Sequence, residues 1–119
     1  MKRILVTLIV SLSLLSACNN SGGDNKVRIG VFMSLTGTTA NFGISSVNGI
    51  KMAADEVNSA GGINGKQIEL LVQDDRSDAS EAATIVTKFV TQDQVHAVLG
   101  EVASSRSIAL PWTVRSATE

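Results

Sequence analysis

Aromatic residues make up 3% of this 119-residue chain, and tyrosine is absent. Proteins that grip single-stranded nucleic acid stack bases on aromatic rings, so that class of partner is poorly supplied. A basic excess is missing too: 10 Lys and Arg stand against 11 Asp and Glu, for a net charge of −1. No nucleic-acid partner is expected, because a phosphate-binding surface needs such an excess. Histidine occurs once, at His96, within a run that reads as a strand. A satisfied or solvent-facing ring is expected there, not a catalytic one. No Ser-His-Asp set, metal-ligand cluster or glycine-rich dinucleotide fingerprint is present. The chain is therefore read as no enzyme, with no cofactor and no metal. Cysteine also occurs once, at Cys18, which rules out a disulfide within the chain.

A membrane-spanning run of about 20 apolar residues is lacking as well. The apolar run Ile4 to Leu15, preceded by Lys2 and Arg3, is shorter and suits a secretory signal peptide. It ends Leu15-Ser16-Ala17-Cys18, which resembles a bacterial lipobox. Cys18 is then the lipidation site and the first residue of the mature chain. Lipid would anchor the protein to a membrane surface without spanning it. The expected organisation is a lipoprotein signal over residues 1–17 and a polar tether over 18–26. An incomplete N-terminal lobe follows over 27–110, and an atypical tail over 111–119.

The chain as a whole, 44% hydrophobic and 18% charged, is of ordinary globular type. The β-branched residues Val27, Ile29 and Val31 predict a first strand through Met33. A loop, Ser34 to Gly43, leads to a helix ending near Ser59. Its apolar face is Val47, Ile50, Ala53, Ala54 and Val57. The run Gly61-Gly62-Ile63-Asn64-Gly65 follows that helix and precedes a strand, so it reads as a turn and not a phosphate loop. Gln67 to Val72 predicts an interior second strand. Asp78 with Glu81 predicts a capped second helix, with Ala82, Ile85, Val86, Phe89 and Val90 buried. Val95 to Gly100 predicts a third strand. Gly30 is expected to weaken strand one slightly and to admit another backbone.

This β-α-β-α-β pattern predicts an α/β fold with a doubly wound parallel sheet of order 2-1-3. Ligands bind such sheets beyond the strands' carboxyl ends, at the switch point between neighbouring strands. That places Ser34 to Gly43 and Glu101 to Ser105 on one site. Both loops are rich in hydroxyls, which suits a small polar solute. At Ser104-Ser105 two uses remain open: holding a carboxylate at a helix start, or plain helix capping. Phe42 either plugs its loop onto the domain or covers an apolar ligand. Asp74-Asp75 reads as a solvated strand end near Arg76.

The ordered set Ile29-Gly30-Val31, Ser34-Leu35-Thr36-Gly37, Asn41-Phe42-Gly43, Asn48-Gly49, Gly61-Gly62-Ile63-Asn64-Gly65-Lys66, Asp74-Asp75, Val98-Leu99-Gly100 and Ser104-Ser105 resembles a known family. It is that of the branched-chain amino-acid-binding proteins of ABC transporters, the type I periplasmic solute-binding proteins, over about residues 26–110. The resemblance implies two α/β lobes that close on an amino acid and deliver it to ABC permease subunits. It implies an exported, lipid-anchored monomer. It places Ser104 against the ligand carboxylate and Phe42 beside the ligand. It also makes Ser34, Leu35, Thr36, Gly37 and Gly43 the pocket wall, with Ser105 next to Ser104. Members of that family are much longer, so a truncated product carrying part of the first lobe is expected. The alternatives are a ligand-sensing ectodomain on the same fold, or a small α/β enzyme using Asp74-Asp75 or Ser104.

Overall fold

The computed structural model describes residues 25–110. The expected signal over 1–17, the lipidation site Cys18, most of the tether and the tail over 111–119 lie outside the described residues. Lys26, assigned to the tether from sequence, belongs to the first strand. The elements are β1 (Lys26–Met33), α1 (Ala40–Ser59), β2 (Gln67–Asp74), α2 (Ala79–Thr91), β3 (Ala97–Leu99) and α3 (Ser104–Ile108).

All strand pairs are parallel and the order is β2-β1-β3, as expected of a doubly wound α/β sheet. β1 is the central strand, with Ile29 opposite Leu70 on one side and Ala97 on the other. Alternation along β1 divides the core in two. Val31 and Met33 pack with Val47 of α1, and Ile29, Leu35, Ile50, Leu70 and Val72 join them. Phe32 points the other way, into Ala82, Ile85, Val86 and Phe89 of α2. Phe32 and Phe89 are essentially fully buried, and burial of such a ring stabilises by about 1.5–3 kcal/mol. Gly30 makes room for a ring, not for a backbone: a Cβ there would lie 2.6 Å from Phe89 Cδ2.

Several expectations shift. β2 stands at one end of the three strands and is partly buried, not interior. Ala53, Val57 and Val90 are exposed, so each helix buries a narrower stripe than its apolar residues suggest. α1 starts at Ala40, inside the stretch read as loop. Asn41, Phe42 and Gly43 are therefore in its first turn. The start is tertiary in origin: Gly43 backs directly onto the Ser34 carbonyl, where any Cβ would overlap the oxygen. At the other end Gly62 N–H donates to Val57 O at 2.8 Å, closing the helix as the glycine turn predicts. The Asn58 side chain then pairs with the Ile68 backbone, accepting at 2.6 Å and donating at 2.9 Å, which aims the chain into β2. α2 begins as expected, with Glu81 N–H donating to Asp78 Oδ1 at 2.8 Å. β3 is shorter than predicted. His96 stands just before it, and its Nδ1 accepts from Arg28 N–H at 3.2 Å, so the ring completes the pairing with β1.

Candidate functional site

The carboxyl ends of all three strands converge, and their loops are tied by polar side chains. Ser34, the first residue after β1, is fully buried. Its N–H and Oγ each lie 3.0 Å from Glu101 Oε1, in the loop after β3. Its Oγ is also 2.8 Å from Asp75 Oδ1, after β2. The loops expected to share a site are thus in direct contact.

Asp74 and Asp75 are not a solvated strand end. Asp74 accepts from Leu35 N–H at 2.8 Å, Thr36 N–H at 3.2 Å, Thr36 Oγ–H at 2.7 Å and Arg76 N–H at 2.9 Å. Desolvation pushes its carboxyl up, but the Thr36 hydroxyl and these three N–H groups outweigh that and bring it down to about 2. Asp75 is fully buried; Ser77 N–H and the Ser34 hydroxyl reach its Oδ1, while Oδ2 has no partner among the described residues. Burial pushes the Asp75 carboxyl up. The Ser34 and Ser77 hydrogen bonds oppose that, Glu101 adds to it, and Arg106 opposes it.

Arg106 closes the cluster. It lies on α3, is buried, and its Nε donates to Glu101 Oε2 at 3.0 Å. Nη2 donates to Thr39 Oγ at 2.6 Å and Nη1 to Ser77 O at 3.4 Å, so one side chain reaches all three loops. Glu101 Oε2 also accepts from Ala103 N–H at 2.7 Å. Burial pushes the Glu101 carboxyl up, but the Ala103 and Ser34 N–H groups, the Ser34 hydroxyl and Arg106 bring it below its ordinary value. Sequence reading missed Arg106 and gave Glu101 no role. Their only local signal is a carboxylate five residues before a lone arginine in a stretch of small hydroxyl residues.

Around this buried layer the remaining candidates divide. Thr36, Gly37, Ser104 and Ser105 are exposed, Leu35 is half-buried against the α1 face of the core, and Gly43 is buried against Ser34. Phe42 is 67% exposed, so it does not plug the loop onto the domain. Serine does not cap α3: the N-cap is Ala103, with no side-chain cap bond. The Ser104 and Ser105 hydroxyls make no hydrogen bond among the described residues. A shallow concavity lined by Ser80, Thr84, Thr87, Lys88 and Thr91 lies apart, on the outer face of α2. Among the described residues no group of three His, Cys, Asp or Glu side chains is placed to hold a metal ion.

A periplasmic binding protein family model matches residues 26–116. An amino acid binding protein of Pseudomonas aeruginosa is 40% identical over 82 residues, 69% of this chain and 22% of that protein. A leucine-, isoleucine-, valine-, threonine- and alanine-binding protein of the same organism is 32% identical over 101 residues, 85% of this chain and 27% of its own length. Among solved structures, the branched-chain amino acid transporter substrate binding protein LivJ of Streptococcus pneumoniae, in complex with isoleucine, superposes with a TM-score of 0.74. That pair is 38% identical, over 77% of this chain and 26% of LivJ. The chain thus spans about a quarter of the length of these relatives. The 2-1-3 sheet, the loops joined at its carboxyl end and a family match that takes in every described residue but Asn25 lead to one conclusion: the chain belongs to the periplasmic binding protein family.

Proposed function

We propose that the chain is part of the solute-binding component of an ABC importer, which captures an amino acid, branched-chain or closely related, and delivers it to membrane permease subunits. One observation carries the reading. The loops after β1 and β3 are joined beneath by Ser34, Glu101, Thr39 and Arg106, while Thr36, Ser104 and Ser105 stay exposed above. Hydroxyls held on a rigid base suit a carboxylate, because donors already in place lose little entropy on binding. Ser104 takes the ligand carboxylate, with Ser105 beside it, and the exposed Phe42 ring flanks the ligand. Thr36 and Gly37 form the wall, on a base made by Ser34, Leu35 and Gly43. No catalytic step is assigned. Ser34, the one hydroxyl between carboxylates, is shut away from any substrate, and the His96 ring is engaged with Arg28. The relatives supporting this reading are about three times as long as this chain, which covers about a quarter of them, so these loops account for one part of a site. Export with lipid attachment at Cys18 and a monomeric state complete the proposal.

The test is amide chemical-shift mapping with isoleucine and leucine, then with amino acids of other classes. One wall of a site binds weakly, so millimolar ligand is the working range. Shifts should centre on Thr36, Phe42, Ser104 and Ser105 and vanish in Ser104→Ala. Shifts confined to other surfaces, or unaltered in that variant, would overturn the assignment.

A further inference from the structure

Two carboxylates face one hydroxyl hydrogen inside the cluster. Ser34 Oγ lies 2.8 Å from Asp75 Oδ1 and 3.0 Å from Glu101 Oε1, and a serine hydroxyl donates once. With both acids ionised, one of them would meet only the lone pairs of that oxygen. Among the described residues the one cation in contact is already committed. Arg106 gives Nε to Glu101, Nη2 to Thr39 and Nη1 to the Ser77 carbonyl, and its Nε remains 4.0 Å from Asp75 Oδ1. Asp75 is fully buried, and its Oδ2 has no partner among the described residues. Two negative charges against one positive charge would leave a buried charge uncompensated, which folded proteins avoid by keeping the proton.

We propose that Asp75 is held as the neutral acid, and that its proton directs a chain of hydrogen bonds from Asp75 through Ser34 to Glu101 that clamps the loops after β1 and β3 together. Asp75 Oδ1–H donates to Ser34 Oγ, and Ser34 Oγ–H donates to Glu101 Oε1. Ser77 N–H still donates to Asp75 Oδ1. Glu101 stays ionised, accepting from Ser34 N–H, the Ser34 hydroxyl, Ala103 N–H and Arg106 Nε–H. The acid's other oxygen is left as a carbonyl without a donor. That is the cheaper arrangement, since a buried hydroxyl without an acceptor is rarer in folded proteins than an under-satisfied carbonyl. The cluster then sums to zero charge.

Asp75 and Glu101 are thus positioning residues, acting through Ser34. Every element around Asp75 contributes: Ser34 from the end of β1, Ser77 from the turn before α2, Glu101 after β3 and Arg106 from α3. Losing the proton leaves Ser34 one hydrogen for two anions, and the clamp loosens. What the clamp positions rests on the binding reading above; the clamp itself does not.

The experiment is a pH titration of the carbon-13-labelled chain by NMR, reading side-chain carboxyl carbons together with the amides of Ser34, Thr39, Ser77 and Glu101. Asp75 should ionise above both Asp74 and Glu101. The four amides should move at the Asp75 midpoint, including those of Ser34 and Thr39 from the other loop. In Asp75→Asn, a neutral isostere, the fold should persist and that common transition should disappear. Ionisation of Asp75 at or below Asp74, or cross-loop amides blind to it, would overturn the proposal on the unaltered chain alone. Added isoleucine separates the two readings: a missing ligand response would sink the binding assignment and leave this titration as it is.

Discussion

Asp74 is the sharpest place to test how the loop after β1 is held. Substituting Asp74→Asn keeps the shape of the side chain and removes its charge. The carbonyl oxygen can still accept from Leu35, Thr36 and Arg76 N–H, and the Thr36 hydroxyl can turn to accept from the amide. What is lost is the strengthening that a charged acceptor confers on those bonds. The folded carboxyl sits at about 2 against an unperturbed 3.8. At 1.36 kcal/mol per pH unit, that difference is worth about 2.4 kcal/mol. Asp74 is partly exposed, and solvent screening reduces this to about 1–2 kcal/mol. The folded value is depressed, so the stabilisation is complete above the unfolded value and fades as pH falls through the folded one. Urea unfolding of both proteins should show a gap of about 1–2 kcal/mol at pH 7, closing between about pH 4 and pH 2. Glu101 and Asp75 titrate in both proteins and cancel in the difference. A gap that persists unchanged at pH 2, or none at pH 7, would refute the reasoning.

Two further substitutions probe the same layer by other means. Gly43→Ala places a methyl group on the Ser34 carbonyl, where backbone meets backbone and neither can yield. It should cost at the upper end of about 1–3 kcal/mol in urea unfolding. Gly49→Ala, in the same helix with open space around it, should instead stabilise by about 0.5–1 kcal/mol. Arg106→Met leaves the Glu101 carboxylate buried without its cation. A loss of about 3–5 kcal/mol is expected, read as a lower urea midpoint, with hydrogen exchange at Ser34 and Ala103 accelerated.

The parts that were legible in sequence are those whose causes are local. β1 declares itself by alternation, α2 by an apolar stripe and by Asp78 three residues before Glu81, and the turn after α1 by its glycines. Each of these is decided within a few residues, and the βαβ repeat then dictates the 2-1-3 order. The start of α1 was not legible. Thr39 caps nothing with its hydroxyl, which is taken by Arg106 and Ser77, so the helix begins where Gly43 docks on Ser34. Asp74 and Asp75 misled for the same reason. Their partners at Leu35, Thr36 and Ser34 lie about forty residues upstream, and no local pattern announces such a bond. Arg106 went unread because its carboxylate partner is identified only once the fold sets Glu101 against it.

Asp75, Glu101 and Arg106 are therefore turned inward at this end of the sheet, while Thr36, Ser104 and Ser105 stay exposed. On the binding reading proposed above, a solute carrying both a carboxylate and an ammonium would be misdirected by an unpaired Asp or Arg beside it. With Asp74, Asp75, Glu101 and Arg106 spent on one another and on backbone, and Thr36 giving its N–H and hydroxyl to Asp74, the exposed hydroxyls of Ser104 and Ser105 are the donors left over at this end of the two loops among the described residues. Such groups orient a charged ligand without attracting free ions at long range, because dipoles lose their influence over shorter distances than charges do. The same division explains why the acidic pair after β2 serves the loop after β1. A wall built from two loops far apart in sequence needs a rigid strut between them, and short charge-assisted hydrogen bonds in a dry interior are the stiffest ones side chains can make.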